Sequence, residues 1–170
     1  MTDDDFIERL SSMRETMYRV SCAQLQRPCD RDDAVQEALL KAWRNRHKLR
    51  NDQYMQTWVT RILINECHNI QRKQKWENAS GELPEQIVKP DSDVESRIAL
   101  SDALFRLDDK LRLPIVLHYI EGFNTQEIAK ILGIPKGTVL WRLSKARKEL
   151  GVMLKPEVTK DNERSFNKEG

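Results

Sequence analysis

The sequence predicts an all-α fold: two small helical domains joined by a flexible acidic linker, the second a helix-turn-helix domain. Apolar residues recur at spacings of three and four along most of the chain, as in amphipathic helices. A stretch rich in Gly, Pro and Ser, residues 77–93, interrupts this period. A helix–turn–helix pattern spans residues 124–151. We therefore assign domains to residues 1–76 and 94–154, and expect residues 155–170 to be a disordered tail because they hold few apolar side chains.

Charge is segregated along the chain, although the net charge is only +2. Residues Lys41–Arg50 and Lys136–Lys148 each contain five basic residues and no acidic one. Between these blocks, Glu77–Glu95 contains six acidic residues and one basic residue. Two basic blocks separated by an acidic one predict two nucleic-acid surfaces and a connector that does not bind DNA.

The chain carries no sign of secretion, membrane insertion or a bound metal. Its first ten residues are acidic rather than signal-like, and no apolar run approaches the ~20 residues of a membrane span. The three cysteines are an odd number without paired spacing. Cys67 and His68 are adjacent, so on a helix they point in different directions. We therefore expect a cytoplasmic protein without membrane insertion, disulfide framework, metal or other cofactor.

Three helices with short loops form the first domain. The first covers about residues 4–26, and Pro28 ends it. Asp30 is placed to cap the second helix, and the loop Leu49–Gln53 leads into a third, which covers about residues 54–76. The expected inward positions are Val35, Leu39, Ala42 and Trp43 in the second helix, and Trp58, Ile62, Cys67 and Ile70 in the third.

The second domain begins with a fourth helix over about residues 94–113. Pro114 then restarts the chain into PIVLHYIEG, a short segment that is nearly all apolar and is therefore expected to be buried. The inward positions of the fourth helix are Val94, Ile98, Leu104, Leu107 and Leu111.

The helix-turn-helix follows. Asn124 can cap its first helix, and Glu127 completes a capping box. Gly133 permits an unusual turn, and Pro135 starts the next helix but does not continue the previous one. In the second helix one side is apolar and the other is polar and mainly basic. The apolar positions are Val139, Leu143, Ala146 and Leu150, and the outward positions are Lys136, Thr138, Trp141, Arg142, Lys145 and Lys148.

A helix held down on one face and cationic on the other is what a DNA major groove accepts. The alternative is an ordinary helical hairpin with a solvated basic face. Trp141 has two plausible uses: a thymine methyl or sugar in the groove, or a pocket on a protein.

Two further polar faces lie in the first domain. The heads of Asp33, Gln36 and Glu37 share one side of the second helix; without other information this is a solvated face. The third helix has a polar, basic face, on which Asn suits base edges and Arg or Lys suits phosphates. This face consists of Arg61, Asn65, Asn69, Arg72 and Lys73.

Over about residues 10–150, these segments resemble the extracytoplasmic-function (ECF) sigma factors of bacterial RNA polymerase, group 4 of the sigma-70 family. DDAVQEALLKAW is similar to the family's polymerase-docking helix, and TWVTRILINECHNIQRKQ to its minus-10 reading helix. LPIVLHYIEGFNTQEIAKILGIPKGTVLWRLSKARKEL resembles its minus-35 domain. The order of the segments, the linker and the total length all match.

The resemblance implies an alternative sigma factor, a non-enzymatic subunit with core RNA polymerase, promoter DNA and an anti-sigma factor as partners. Asp33, Gln36 and Glu37 would then dock on polymerase. The basic face of the third helix and the loop Leu49–Gln53 would read the minus-10 element with one base flipped out, and the basic helix of the second domain would read the minus-35 element. Leu49 and Met55 stand where the family frequently has aromatic residues.

Two rival functions remain at this point. A free-standing helix-turn-helix regulator would bind an operator without a polymerase, and would need no docking helix. A metal-dependent nuclease would need an inward cluster of His, Asp and Glu, and the sequence offers none.

Overall fold

The computed structural model describes residues 1–79 and 95–155, without the side chains of residues 79 and 95–98. The described chain contains eight α-helices and no β-strand. The all-α prediction is confirmed. The helices are α1 (Asp3–Ser12), α2 (Arg14–Cys22), α3 (Pro28–Arg44), α4 (Met55–Ala79), α5 (Glu95–Arg106), α6 (Asp109–Ile115), α7 (Thr125–Leu132) and α8 (Lys136–Met153).

The first domain is built around the packing of α3 against α4, with α2 contacting both. Ala34, Ala38 and Ala42 are fully buried at successive spacings of four, so a stripe of small side chains runs along α3. Leu63 and Ile64 fill the core from α4. Of the inward positions expected on α4, only Cys67 is fully buried, whereas Trp58, Ile62 and Ile70 are half-buried against the core.

The expectation of one helix over residues 4–26 is wrong, because the chain breaks at Met13, which ends α1 and starts α2. Both sides of the break keep their apolar faces in one core, so the period continues across it. Pro28 does not end a helix either. It is the first residue of α3, where its missing N–H costs nothing.

Asp30 does not cap α3, because it lies inside the first turn and Arg27 holds the cap position. The Asp30 carboxylate is buried and accepts hydrogen bonds from Arg27 Nε at 2.7 Å and Gln74 Nε2 at 2.6 Å. It therefore ties the start of α3 to the far end of α4. Helix α4 continues to Ala79, three residues into the predicted linker; the rest of residues 77–93 lies outside the described residues.

The predicted fourth helix is in fact two helices, α5 and α6, separated at Leu107 and Asp108. At this break the buried guanidinium of Arg112 donates hydrogen bonds to the carbonyl oxygens of Leu104, Phe105 and Leu107 at 2.6–3.0 Å. A single side chain thus satisfies the last carbonyls of α5. Leu107 and Leu111 are buried as expected and Leu104 half-buried, while the Val94 and Ile98 side chains lie outside the described residues.

Pro114 lies inside α6 and does not restart the chain. The segment after it, Val116–Ile120, is a single π-helical turn, closed by the bond from Glu121 N to Val116 O at 3.1 Å. The segment is only partly buried, as Val116 and Leu117 lie in the core while Tyr119 and Ile120 are exposed. The wider turn thus rotates the last two apolar side chains out of the core.

The helix-turn-helix forms as the sequence predicts. Asn124 Oδ1 accepts from Glu127 N at 2.9 Å, and Glu127 Oε2 accepts from Asn124 N at 2.8 Å. Gly133 ends α7 with φ +65°, a conformation that costs glycine little. Pro135 is the N-cap residue of α8. The buried side chains of the two helices are Ile128, Ile131, Val139, Leu143 and Ala146.

The two domains pack against each other through α4 and α7 and contribute to one hydrophobic core. Arg19 of α2 donates from Nε and an Nη to the two carboxylate oxygens of Glu121 at 2.9 and 3.2 Å. Arg112 Nη1 reaches the carbonyl oxygen of Ala23 at 3.0 Å. We call this packed state the closed arrangement.

Candidate protein and nucleic-acid interfaces

The face of α3 that carries Asp33, Gln36 and Glu37 lies over a shallow groove of about 340 Å³ between α3 and α4. Asp33 and Gln36 are exposed and Glu37 is half-buried, so all three predicted docking residues are accessible. Leu40 lines the same groove and is 49% exposed. An accessible leucine beside carboxylate and amide groups makes this a mixed apolar and acidic surface, as protein interfaces commonly are.

Lys41 lies beside two carboxylates of this surface. Its Nζ lies 2.6 Å from Glu66 Oε1 and 3.8 Å from Glu37 Oε1. The shorter contact commits the ammonium mainly to Glu66, a largely buried residue of α4. Glu37 therefore keeps most of its capacity to accept hydrogen bonds from a partner. Sequence reasoning missed Leu40 and Glu66. Leu40 could have been found, because it is an apolar residue that does not belong to the inward positions of α3.

The predicted basic face of α4 is present along one exposed side of the helix. Arg61, Asn65, Asn69, Arg72 and Lys73 are all exposed. A groove of about 570 Å³ runs along part of this side, and its lining residues are Asn65, His68, Asn69, Gln71, Arg72 and Lys75.

The two asparagines of this face differ in availability. Asn69 Oδ1 accepts a short hydrogen bond from Arg72 Nη2, so part of its side chain is already used. The Asn65 amide has no side-chain hydrogen bond within the described parts of the chain and can present both donor and acceptor to a base edge. His68, missed by sequence reasoning, lies in the same groove. Partial burial and the nearby Arg72 cation lower the pKa of its imidazole, which favours the neutral ring.

The loop before α4 is fixed by local contacts. Asn51 Oδ1 accepts from Gln53 N at 3.0 Å, and a 3₁₀ turn, Asp52–Tyr54, leads directly into the helix. Leu49 is half-buried against the core and Met55 is buried. Neither residue therefore presents its side chain freely at the loop surface.

The outward face of α8 is open and cationic. Lys136, Trp141, Lys145 and Lys148 are exposed, and Thr138 and Arg142 are half-buried. Within the described residues, none of the four cations of this face pairs with a carboxylate within 4.0 Å. They are thus available to an external anion such as a phosphate.

Trp141 is 59% exposed, so it does not belong to the core of its own domain. Lys145 lies one turn further on, and its Nζ is 5.1 Å from the centre of the indole ring. This cation–π contact favours an indole that lies along the helix surface beside the cations. Leu140, which sequence reasoning did not single out, is also exposed.

Cys67 is fully buried, and burial raises the pKa of its thiol to about 12. Across residues 1–79 and 95–155, no three His, Cys, Asp or Glu side chains come together in a way that would hold a metal ion. None of the helices in these ranges is long and apolar enough to cross a membrane.

Two family models match the chain. The model described as Sigma-70 region 2 matches residues 9–77, and the model described as Sigma-70, region 4 matches residues 97–150. The first therefore contains α2, α3 and the predicted minus-10 face of α4, and the second contains the helix-turn-helix.

Curated relatives carry the same designation. The ECF RNA polymerase sigma factor SigM of Mycobacterium tuberculosis H37Rv is 35% identical over 129 residues, which are 74% of this chain and 64% of SigM. The chain thus spans less than two thirds of that relative. The ECF RNA polymerase sigma-E factor of Escherichia coli K12 is 32% identical over 144 residues, 75% of each chain. SigW of Bacillus subtilis is 28% identical over 171 residues, 89% of this chain and 90% of SigW.

Solved structures are similar as well. The sigma factor RpoE from Bartonella quintana, in complex with the anti-sigma factor NepR, superimposes with a TM-score of 0.78 at 25% identity, covering 90% of this chain and 98% of that one. CnrH, in complex with the cytosolic domain of CnrY, gives a TM-score of 0.67 at 23% identity and covers 90% of this chain and 89% of its own. Both sigma regions, the named relatives and the fold agree, and the chain belongs to the ECF family of RNA polymerase sigma factors.

Proposed function

We propose that this protein is an alternative sigma factor that binds core RNA polymerase, directs it to promoters with matching minus-10 and minus-35 elements, and aids strand separation. The observation that carries the proposal is the combination of one acidic–apolar surface on α3 with two separate basic surfaces on α4 and α8 in a chain of this family. The protein contributes recognition and no catalysis, and acts in the cytoplasm, where the polymerase works.

The α3 surface suits a basic partner. Asp33 and Glu37 can accept charge-assisted hydrogen bonds from Arg or Lys, which are shorter and stronger than neutral ones. Leu40, exposed beside them, adds an apolar contact that loses water on docking. We assign this surface to core polymerase.

The α4 surface suits a promoter strand whose bases are read individually. The Asn65 amide, which has no side-chain hydrogen bond within the described residues, can form paired hydrogen bonds with one base edge, while Arg72 and Lys73 contact phosphates. The groove beside Asn65 has room for a group turned out of the base stack. We assign this face and the loop Leu49–Gln53 to the minus-10 element.

The α8 surface suits duplex DNA in the major groove. Lys136, Arg142, Lys145 and Lys148 would contact phosphates or guanine edges, and Thr138 lies at the start of the helix, where recognition helices contact bases. Trp141 would lie against a thymine methyl or a sugar. Its cationic neighbour Lys145 favours this use over a pocket on an inhibitor.

We further infer an anti-sigma partner that binds the closed arrangement. The matched RpoE chain is in complex with its anti-sigma factor NepR, and the match extends over 90% of this chain, both domains included. An inhibitor that binds the closed arrangement better than an open one would stabilise it by mass action.

The free-standing regulator is the rival that an experiment must exclude. Genomic DNA fragments are incubated at physiological salt with the protein alone, with core polymerase alone and with both, and the retained fragments are sequenced. The sigma-factor account expects fragments that share two spaced elements to be retained only with both proteins, because neither small basic surface binds tightly alone. Retention of the same fragments by the protein alone would instead identify a regulator.

A further inference from the structure

The first helix, α1, contacts the chain just before the loop that leads into α4. Asp3, in the first turn of α1, pairs with Arg46, which begins the 3₁₀ turn Arg46–Lys48 after α3. Arg46 Nε and Nη2 donate to the two carboxylate oxygens of Asp3 at 2.8 and 3.1 Å. The pair is therefore bidentate, a geometry that fixes the direction of the guanidinium as well as its distance.

Aromatic contacts complete this junction. Arg46 Nη1 donates to the carbonyl oxygen of Trp43 at 3.2 Å, and the guanidinium carbon lies 4.0 Å from the centre of a Trp43 ring. Phe6 is buried one turn after Asp3, and its ring centre is 6.1 Å from that of Trp43. Two residues of α1 thus contact two residues at and just beyond the end of α3. We call these four residues, Asp3, Phe6, Trp43 and Arg46, the α1 brace.

Arg46 differs from the other cations of its segment. Among the described residues, Lys48 and Arg50 have no carboxylate within 4.0 Å, and both are exposed. Arg46 instead donates from each of its three nitrogens to an acceptor within the protein. Its hydrogen bond lowers the pKa of the Asp3 carboxyl, which keeps that carboxylate charged. This cation is therefore committed to the structure of the protein itself.

The α1 brace acts on the backbone that enters the loop. The carbonyl oxygen of Arg46 accepts from Leu49 N at 3.0 Å, and that of Asn45 accepts from Lys48 N at 2.8 Å. The path of the chain as it leaves α3 therefore depends on where Arg46 is held, and the loop Leu49–Gln53 follows directly. The part of this loop nearer to α4 has separate support from the Asn51 side chain.

We propose that Asp3 is a positioning residue for the loop Leu49–Gln53: by holding Arg46 against Trp43, it fixes how this loop is presented to the minus-10 element. The proposal rests on the proposed function and adds to it a residue outside the DNA-contacting surfaces. A recognition loop that is ordered in advance loses less conformational entropy on binding. Asp3 is exposed, so releasing Arg46 from it frees the loop without removing a side chain from the core.

Asp3→Asn is expected to loosen the loop without unfolding the protein, because the amide keeps the size of the side chain and loses its charge. Amide hydrogen exchange at Lys48 and Leu49 should become roughly two- to fivefold faster, the range for loss of an exposed ion pair. Asp4→Asn is the matched control. It removes the same charge from the same first turn, and Asp4 has no cation within 4.0 Å among the described residues, so both amides should exchange as before.

A double-mutant cycle shows whether the effect of Asp3 passes through Arg46. Arg46→Gln should also speed exchange at Lys48 and Leu49, and Asp3→Asn in the Arg46→Gln background should add nothing. Circular dichroism and chemical denaturation confirm that each full-length variant is folded. The proposal is overturned if Asp3→Asn exchanges like Asp4→Asn, or if the Asp3 effect persists without Arg46.

The consequence for recognition is measured on the holoenzyme. With Asp3→Asn, preference for the best minus-10 element over single-base variants should fall by roughly two- to fivefold, while preference among minus-35 variants stays the same. Faster exchange with an unchanged minus-10 preference would show that the α1 brace orders the loop without positioning it for reading, which also contradicts the proposal.

Failure of the proposed function is seen separately, as an absence of promoter-specific transcription by core polymerase with the unmodified protein. If that transcription occurs while Asp3→Asn and Asp4→Asn behave alike, the positioning role of Asp3 is wrong and the sigma-factor assignment stands.

Discussion

Helices α4 and α8 each present a basic face, but they differ in how much of their remaining surface is buried against other helices. Helix α4 buries Met55, Val59, Leu63, Ile64 and Cys67, and contacts α2, α3 and α7. Helix α8 buries three side chains, all on one side.

The basic faces of α4 and α8 also differ in their contacts with the rest of the protein. Among the described residues, the cations of α8 have no carboxylate within 4.0 Å. The N-terminal end of the α4 face is in contact with the second domain through Lys130. In the closed arrangement the second domain therefore contacts Tyr54, just before α4, whereas the side chains of the proposed minus-35 surface remain accessible. The following predictions test this contrast, from the largest expected effect to the smallest.

The Arg112 guanidinium, on α6, forms hydrogen bonds with carbonyl oxygens at the end of α5 and with the carbonyl oxygen of Ala23 in the first domain. We expect Arg112→Ala to lower the free energy of unfolding by about 3–5 kcal/mol, since buried carbonyl oxygens lose their donor. Chemical denaturation measures the loss. Arg147→Ala, which removes one exposed hydrogen bond to the Tyr119 hydroxyl, is the control and should cost less than about 0.5 kcal/mol. Equal effects of the two changes would show that the Arg112 contacts are not structural.

Asn65 and the two cations after it should have separable roles. Asn65→Ala is expected to reduce discrimination between minus-10 variants by about 1–3 kcal/mol at one base position, because a paired amide contact is lost. Replacing Arg72 and Lys73 should weaken all variants about equally and reduce the salt slope by roughly one per phosphate contact. Holoenzyme binding to promoter variants measures both. Identical effects on every variant would contradict the division of roles.

Glu37 tests the docking surface without touching either DNA face. Glu37→Lys should weaken core binding by roughly 1–3 kcal/mol, through loss of a charge-assisted bond and the introduction of a cation beside Lys41. A titration of labelled protein with core polymerase gives the affinity, and Glu8→Lys, at an exposed position on α1, controls for the change of net charge. An unchanged affinity would remove Glu37 from the interface.

Trp141 is expected to show the smallest effect. Trp141→Ala should weaken binding of the holoenzyme to a promoter that needs its minus-35 element by about 1 kcal/mol, the lower end of the range for a base contact. Transcription from that promoter should fall accordingly. Leu140→Ala, at the neighbouring exposed position, should have no effect. Loss of anti-sigma binding with normal transcription would assign Trp141 to a protein pocket instead.

The sequence predicts best where structure is decided locally. Asn124, Glu127 and Gly133 each act within one helical turn, and all three have the predicted roles. The exposure of Asn65 and Trp141 also follows from helical period alone.

It predicts poorly where distant residues decide. The helical spacing of apolar residues continues through Met13 and through Leu107–Asp108, because both sides of each break face one core. The sequence pattern therefore does not reveal these helix breaks. Arg112 appears as an ordinary charge in the sequence, and only the fold brings it to the carbonyls it satisfies. The Lys130–Tyr54 contact joins residues of different domains, so no local pattern announces it.

Transcription by core polymerase on genomic DNA tests the central claim most directly. Core enzyme is supplied with no sigma factor, with this protein, or with its Glu37→Lys variant, and the 5′ ends of the transcripts are sequenced. The account predicts discrete start sites downstream of two spaced elements with the unmodified protein, fewer with the variant and none with core alone. No start sites beyond those of core alone, in a mixture where the protein binds the polymerase, would contradict it.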